Sequence, residues 1–394
     1  MNILMISPDY PPSYGGIGTH VYHLTKNLRK QGHTVTLFVT RVNKEDSIYK
    51  KTHITRKNGI IIVDIPNKFY DISEVRALKL GNYYSKEIAI FSLFGNILTD
   101  ILMSFPLEKY DIIHIHDGYA AAAGIILKNY LKIPLITTIH SMHASKKSIK
   151  YYLREYLINN SDSVIAVSHY LKDMILSNYH ISGDKINVIY NSINVNRYIS
   201  SREKNFSSQI TFCGSLEEVK GVVSLINVFS QVLKEINYKK IVLNIIGSGS
   251  LEEEIQSLIY FLKLDKNVHL YRNIKNTKVL EIFQRSNCVV IPSLQESFAT
   301  VGLEAMSVKT ALISANVGGM KEMVIHDETG FLYEVNDVSQ MKGYIIDLLK
   351  NPKKAVEFGK EGYQQILKNF TCEINVEKLL DLYRKVINNE QVKC

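Results

Sequence analysis

The sequence has no tryptophan, few prolines and few cysteines, and no apolar run long enough to cross a bilayer. The four cysteines are scattered without the spacing of a metal site, which favours thiols over disulfides: Cys213, Cys288, Cys372 and Cys394. The first residues, MNILMIS, have neither a basic region nor a small-residue cleavage site, so they do not indicate a signal peptide. These absences predict a cytoplasmic protein without a membrane span.

The charge balance is basic, with 47 Lys and Arg against 38 Asp and Glu and a formal net charge of +9. The lysines are spread along the chain and do not alternate with aromatic residues, which argues against a nucleic-acid platform. A basic surface could still attract anionic lipid headgroups or the phosphates of a nucleotide. Charge alone does not choose between these partners.

The chain alternates short apolar runs with helical segments over 394 residues, a length that favours two domains. Continuous apolar strands separated by helices predict parallel sheets covered on both faces. The predicted strands are residues 2–6, 33–40, 59–66, 111–116, 134–140, 163–168 and 187–190, then 210–214, 241–247, 267–271, 288–292 and 310–315. The expected fold class is α/β, with two Rossmann-like, doubly wound domains.

A polar stretch at 191–209 interrupts this alternation and is the predicted linker between the domains. The N-terminal domain would then span 1–190 and the C-terminal domain 210–372. A final helical segment follows at 373–394, and residues 86–104 are predicted to form another helix. Open parallel sheets bind ligands at the carboxyl ends of their strands, so functional residues should follow the strands.

In the N-terminal half, three strand ends carry candidate residues. After the first strand, the loop 7–20 contains Gly15, Gly16 and Gly18 and leads into a helix. Such a loop suits an anion, but a simple strand-to-helix turn is about as good an interpretation. The later strands end at His116 with Asp117, and at His140. A single histidine on a strand is more often a satisfied structural residue, but two at equivalent strand ends favour a cleft.

In the C-terminal half, FCGSLEEVKG (212–221) places Lys220 just before a helix, where it could hold a phosphate or be a solvated surface lysine. IIGSGSLEEEI (245–255) has Gly247 at a strand-to-helix turn, which is weak evidence for a nucleotide.

The stretch PSLQESFATVGLEAMS (292–307) places Glu296 at the mouth of a predicted helix and Glu304 two turns inside it. The amides of 297–301 lie between them, at the positive end of the helix dipole. This order suits a diphosphate on the amides, a polyol on Glu296 and a ribose diol on Glu304. The alternative interpretation needs no ligand. One glutamate would simply complement the helix dipole and the other would be an unrelated surface residue, and the spacing would be the same.

Taken together, these stretches resemble the retaining nucleotide-sugar glycosyltransferases of family four, which have the GT-B fold with two domains facing a central cleft. The resemblance rests on 292–333, on the N-terminal PPSYGGIGTHVYHL, and on HIHD, TTIHS, VSHYLKDMI, FCGSLEEVKG and IIGSGSLEEEI in the family's order. It covers essentially the whole chain. It implies an N-terminal acceptor-binding domain, a C-terminal donor-binding domain and a last helix (373–394) that crosses back to the first domain.

The resemblance also implies a role for each matching residue. Glu304 would bond the ribose, Glu296 the donor sugar and Lys220 the diphosphate, while Gly16 would approach the phosphates and His140 the transferred sugar. The remaining donor-binding candidates are Ser215, Gly247, Ser297, Phe298, Ala299, Thr300 and Val301. The acceptor-binding candidates are His116, Asp117 and Tyr14. Catalysis is assigned to His140, Glu296 and Lys220.

Three departures from the family pattern affect these expectations. Ser215 stands where an arginine is usual, so one phosphate-binding cation is missing and weaker donor binding is expected. Ala299 replaces a glycine and could narrow the sugar site, while Lys309 and Lys321 replace a common glycine and proline.

The expected reaction moves a sugar from a nucleotide diphosphate-sugar, with UDP or GDP as the nucleotide, to an acceptor hydroxyl with retention. The chain has no Asp-x-Asp pair, which fits a metal-independent enzyme without a cofactor. A nucleotide-sugar epimerase and a non-catalytic sugar-nucleotide-binding protein remain alternatives. The acceptor could be a glycan, a lipid-linked sugar or a small molecule.

The segment 146–160 carries apolar residues on one helical face beside lysines. It could rest peripherally on the inner face of an anionic membrane, but such a stripe is more often the core face of a helix.

Overall fold

The structure, a computed structural model, describes residues 1–11, 15–40, 53–57, 59–64, 110–117, 121–142, 149–195, 208–236 and 241–391. The chain divides into two compact units. Unit 1 comprises Met1–Asn191 with Cys372–Cys394, and unit 2 comprises Ser192–Thr371. The predicted linker 191–209 lies mostly outside the described residues, and the predicted helix 86–104 lies wholly outside them.

Eight strands among the described residues form the sheet of unit 1, in the order β3-β4-β2-β1-β5-β6-β7-β8. Every neighbouring pair is parallel except β3 with β4. The strands are β1 Asn2–Ser7, β2 Thr34–Val39, β3 His53–Lys57, β4 Ile60–Asp64, β5 Ile112–His116, β6 Leu135–Ile139, β7 Ser163–Ala166 and β8 Ile186–Val188. Chain order reverses between β1 and β5, which makes their carboxyl ends the switch point of this sheet.

Helices cover this sheet on both faces, because successive side chains of a strand point to opposite sides. Ile3 and Met5 belong to one core cluster, whereas Leu4 and Ile6 belong to another. Among the described residues, the helices that precede unit 2 in the chain are α1 Gly16–Lys30, α2 Ala121–Leu131, α3 Ile149–Asn160 and α4 His169–Asn178. Gly32 follows the end of α1 at φ 83°, a left-handed conformation that glycine adopts readily.

Unit 2 has a six-stranded, all-parallel sheet in the order β11-β10-β9-β12-β13-β14 among the described residues. The strands are β9 Gln209–Cys213, β10 Val242–Ile246, β11 Val268–Tyr271, β12 Cys288–Ile291, β13 Ala311–Ala315 and β14 Gly330–Tyr333. The helices are α5 Val222–Glu235, α6 Glu252–Phe261, α7 Asn276–Arg285, α8 Thr300–Ser307, α9 Met320–Met323, α10 Val338–Lys350 and α11 Pro352–Asn369. Its switch point lies between β9 and β12.

The last helix, α12 Cys372–Gln391, belongs to unit 1. Its Tyr383 is fully buried in the same core cluster as Ile3 and Met5, and its hydroxyl lies 2.6 Å from Nδ1 of His114. The chain therefore returns to its first unit after completing the second.

The two parallel sheets with flanking helices confirm the predicted α/β fold class. Two strands were not predicted. β3 is mostly exposed and pairs antiparallel at the sheet edge, so it lacks the apolar run of a buried strand. β14 begins at Gly330, a residue that weakens any strand pattern. None of the helices in the described segments is both long and apolar enough to span a membrane.

Candidate active site

The loop after β9 is fixed in place at the switch point of unit 2. Gly221 adopts the left-handed conformation at φ 68°, and a side chain there would collide with the carbonyl oxygen of Pro292. The amide of Leu294 donates to the carbonyl of Val219 at 2.8 Å. The loop after β9 is thereby held against the loop after β12, which aligns Lys220 with the residues that follow Pro292.

Lys220 and Glu296 form an ion pair across these two loops. Nζ of Lys220 lies 2.6 Å from Oε2 of Glu296. The two side chains are 28% and 13% exposed, so solvent reaches both and the pair contributes less than about 1 kcal/mol to folding. Two residues that lie 76 positions apart in the sequence therefore form one charged pair that adds little to the stability of the fold.

Helix α8 begins at Thr300 without a side-chain cap, because its N-cap residue is Ala299. Among the described residues, the amides of Thr300 and Val301 have no hydrogen-bond acceptor. Phe298 is buried and packs against Phe370 at a centroid distance of 5.5 Å, and the carbonyl of Ser297 accepts from the amide of Gly319. The start of α8 thus presents amides and the positive end of its dipole, a suitable site for an anion.

Glu304 lies further along α8 in an environment that disfavours its charge. Desolvation raises the pKa of this carboxyl to about 7, although the side chain keeps some exposed surface, and the hydrogen bond from Asn276 lowers it. Nδ2 of Asn276, the first residue of α7, donates to Oε1 of Glu304 at 2.9 Å. Burial, and to a lesser extent the charge of Glu304, raises the pKa of the Cys213 thiol.

The other donor-binding candidates of unit 2 lie on the same two loops or next to them. Ser215 is exposed in the loop after β9. Gly247 has φ 151°, and a Cβ there would collide with the carbonyl of Gly214. Only glycine therefore allows the backbone at 247 to lie this close to the backbone at 214. The structure therefore brings Ser215, Lys220, Gly247, Glu296 and Glu304 to the carboxyl edge of one sheet.

In unit 1, His116 at the end of β5 and His140 after β6 are in direct contact. Nδ1 of His116 lies 3.1 Å from Nε2 of His140. Desolvation lowers the pKa of His140 to about 3 and the pKa of His116 well below its usual value, so both rings are neutral at pH 7. His20 of α1 completes the cluster, with its ring centroid 5.3 Å from that of His140.

Asp117 is held by an ion pair instead of pointing freely to an acceptor. Arg154 of α3 lies 3.2 Å from Oδ1 of Asp117, and both side chains are nearly buried. Gly16 is the exposed first residue of α1, and Tyr14 lies outside the described residues. The acceptor-binding roles of Asp117 and Tyr14 and the donor-binding role of Gly16 remain predictions.

Helix α3 shows how the apolar stripe of 146–160 is used. Leu157 and Ile158 are buried, and Arg154 points inward to Asp117, whereas Tyr152 and Tyr156 are about half exposed. Leu157 of the predicted stripe therefore packs in the core, whereas its members Tyr152 and Tyr156 do not. Lysines 146 and 147, on which membrane binding would depend, lie outside the described residues.

The sequence analysis did not identify His20 or Asn276 as site residues. It named Cys213 only as a thiol and did not place it at this site. His20 can be placed only once the sheet order is known, because the helix after β1 and the ends of β5 and β6 meet where three neighbouring strands end. The pairing of Asn276 with Glu304 joins two helices and has no local sequence signal.

Residues 14–197 match the family described as Glycosyltransferase Family 4, and residues 199–365 match Glycosyl transferases group 1. An uncharacterized glycosyltransferase of Methanocaldococcus jannaschii is 30% identical, over 98% of this chain and 97% of its own length. The chain belongs to glycosyltransferase family 4. This glycosyltransferase is also 25% identical to the glycogen synthase of Mycobacterium tuberculosis, over 94% of this chain and 91% of the relative.

Solved structures of the GT-B fold resemble the glycosyltransferase over nearly its whole length. Sucrose-phosphate synthase from Thermosynechococcus elongatus superposes with a TM-score of 0.78 at 18% identity, over 98% of this chain and 99% of the other. HepE from Anabaena, solved in complex with UDP-glucose, gives a TM-score of 0.75 at 16% identity, over 98% and 100%. At this identity the likeness establishes the fold, and the GT-B architecture expected from the sequence is confirmed.

Proposed function

We propose that this glycosyltransferase moves a sugar from a UDP-sugar to an acceptor hydroxyl with retention of anomeric configuration. The observation that carries the proposal is the set of positive groups at the switch point of unit 2. Here the Lys220–Glu296 ion pair lies in the loops that lead to the start of α8, which has no side-chain cap. HepE, a structural neighbour, has been solved with UDP and with UDP-glucose, which favours uridine over guanosine as the donor base.

Each part of the donor would meet a different group of this site. The diphosphate would lie on the amides of Thr300 and Val301 beside Lys220, because these are the positive groups. The sugar hydroxyls would donate to Glu296 and the ribose hydroxyls to Glu304, since a carboxylate is a strong acceptor. Binding would loosen the Lys220–Glu296 bond and give each charge a new partner.

The same groups would stabilise the charge that grows on the leaving diphosphate, which is the usual role of preorganised dipoles and cations. The bond between the anomeric carbon and the diphosphate oxygen breaks as the acceptor oxygen bonds to that carbon from the same face. The acceptor proton passes to the departing phosphate oxygen. Lys220 and the α8 amides supply the positive charge, so no metal ion is required at the diphosphate.

The product distinguishes transfer from the alternatives. Release of UDP should require acceptor, whereas an epimerase would convert the donor without acceptor and without net release. NMR of the product should give the anomeric configuration of the donor sugar, and an inverted product would refute retention.

Replacement of Glu296 separates an enzyme from a non-catalytic binding protein. Glu296→Gln should reduce transfer by about 100-fold, because the carboxylate that holds the sugar and orders Lys220 is lost. The matched control is Glu281→Gln, which breaks the exposed Lys278–Glu281 pair at 3.1 Å and should leave the rate unchanged. Equal rates for both variants would contradict the proposed site.

A further inference from the structure

Three histidines of unit 1 converge in a way that the proposed function does not use in full. His20, His116 and His140 are 8%, 1% and 8% exposed, and one ring nitrogen from each lies within 4.8 Å of the others. They come from α1, from the end of β5 and from the residue after β6. Because β1, β5 and β6 are neighbours in the sheet, the backbone fixes this convergence.

Two ring nitrogens of this cluster are buried without any hydrogen-bond partner, Nδ1 of His20 and Nε2 of His116. His114, two residues before His116 on β5, shows the contrast. Its Nδ1 lies 2.6 Å from the Tyr383 hydroxyl and its Nε2 lies 2.7 Å from Oγ1 of Thr138. His114 is thus a satisfied core histidine, whereas the cluster carries buried polar atoms that lack a partner, and such atoms require an explanation.

The chemistry of the cluster suits a metal ion of one class. All three side chains are buried, and a neutral imidazole offers one ring nitrogen lone pair to a metal ion. The acidic side chain that directly follows β5, Asp117, is engaged by Arg154. An all-imidazole set favours zinc and related transition metals over magnesium or calcium, which prefer oxygen ligands.

We propose that His20, His116 and His140 form a binding site for a single Zn²⁺ ion, with three imidazole ligands and an open fourth position. The separation of 3.1 Å between Nδ1 of His116 and Nε2 of His140 is close to the ~3.3 Å between two nitrogens bound to one tetrahedral zinc. Coordination by these two atoms leaves the opposite ring nitrogens as N–H donors. The metal would therefore account for the unpartnered Nδ1 of His20, which would close in as the third ligand, and not for Nε2 of His116.

Cobalt titration of the full-length protein, first stripped of metal by a chelator, tests the site. We expect one equivalent of Co²⁺ to give the strong visible absorption of a four-coordinate ion, and Zn²⁺ to displace it. His20→Gln and His116→Gln should each weaken binding at least tenfold, since each removes one of three ligands. His180→Gln, which changes an exposed histidine of the same unit, should bind as the wild type does.

The wild-type titration tests the site by itself, because it does not depend on whether a variant folds. Absence of Co²⁺ absorption with folded wild-type protein, or unchanged binding in both His→Gln variants, would overturn the proposal.

The consequence for catalysis rests on the proposed function. Zinc on His140 would remove a residue expected near the transferred sugar, so Zn²⁺ should slow transfer and a chelator should restore it. The cobalt titration needs no substrate, so loss of the metal site and loss of the proposed transferase activity are separate results.

Discussion

Ser215 is the residue at which this chain departs most clearly from the family's phosphate site. Its side chain is exposed in the loop that also holds Lys220, so a longer cationic side chain has room to extend. Ser215→Arg should add a charge-assisted contact of about 1.5–3 kcal/mol to the diphosphate. We expect UDP to bind about 10–100-fold more tightly, measured by calorimetric titration. An unchanged affinity would show that the missing arginine has no cost here.

The ionisation of a single residue, Glu304, should make donor binding depend on pH. With a pKa of about 7, its carboxyl is mostly protonated at pH 6 and mostly ionised at pH 8. Only the ionised form accepts hydrogen bonds from both ribose hydroxyls. The affinity for a UDP-sugar, whose diphosphate diester does not titrate here, should therefore rise from pH 6 to 8. Glu304→Gln should bind about tenfold more weakly at pH 8 and show a flat profile.

The same carboxyl lowers the stability of the folded protein at high pH. Its pKa in the folded state is above the unfolded value of about 4.3, so the native protein holds more protons between these values. Its contribution to stability is thus greatest below about pH 4.3 and is lost as pH rises through 7. In urea titrations, Glu304→Gln should be more stable than the wild type at pH 8, by on the order of 1–2 kcal/mol, and similar at pH 4.

The sequence identified Lys220, Glu296 and Glu304 because each lies in a motif that a family resemblance can match. It did not predict the 2.6 Å bond between Lys220 and Glu296, or the hydrogen bond from Asn276 that fixes Glu304. These contacts join segments far apart in the chain and depend on the strand order. The desolvation that raises the pKa of Glu304 has the same origin, since it reflects the packing around α8.

At the scale of elements, Gly221 controls how the loop after β9 meets the loop after β12. Gly221→Ala would put a Cβ into the carbonyl of Pro292 in a left-handed conformation that costs about 1 kcal/mol. We expect lower stability by about 1–3 kcal/mol and weaker UDP binding, because Lys220 would be displaced from Glu296. Thermal unfolding and UDP titration measure both effects.

Gly343→Ala is the control for that variant. Gly343 lies inside α10, and no atom of the described residues comes within 4 Å of the position that a Cβ would take there. Alanine should therefore be neutral or stabilise the helix by about 0.5–1 kcal/mol. If both alanine variants behaved alike, the close approach at Pro292 would not be what positions Lys220.

Strand prediction succeeded where burial was greatest. Fully buried runs such as β5, β6, β12 and β13 were all predicted, because a strand covered on both faces is continuously apolar. β3 was missed because an exposed edge strand is under no such constraint. The order of the strands, which brings His20 to His116 and His140, follows from long-range pairing and has no local pattern.

At the scale of the whole molecule, the chain folds into two units with separate cores. The residues proposed to hold the diphosphate and the ribose, Lys220, Thr300, Val301 and Glu304, all lie in the second unit. A ligand that binds only the native state stabilises the unit that holds it, by about 2.7 kcal/mol at 100 times its Kd. Two-state unfolding is not expected for such a chain. A calorimetric scan should therefore show two unfolding transitions, or one broad transition made of two.

UDP should raise only the transition of unit 2, and Zn²⁺ only that of unit 1. The Glu304→Gln variant gives the internal control, because it should blunt the UDP response while leaving the Zn²⁺ response intact. A UDP-dependent shift of both transitions by equal amounts would mean that the units unfold together or that the donor is held by both. A GDP-sugar that shifted the unit 2 transition more than its UDP counterpart would overturn the proposed donor base.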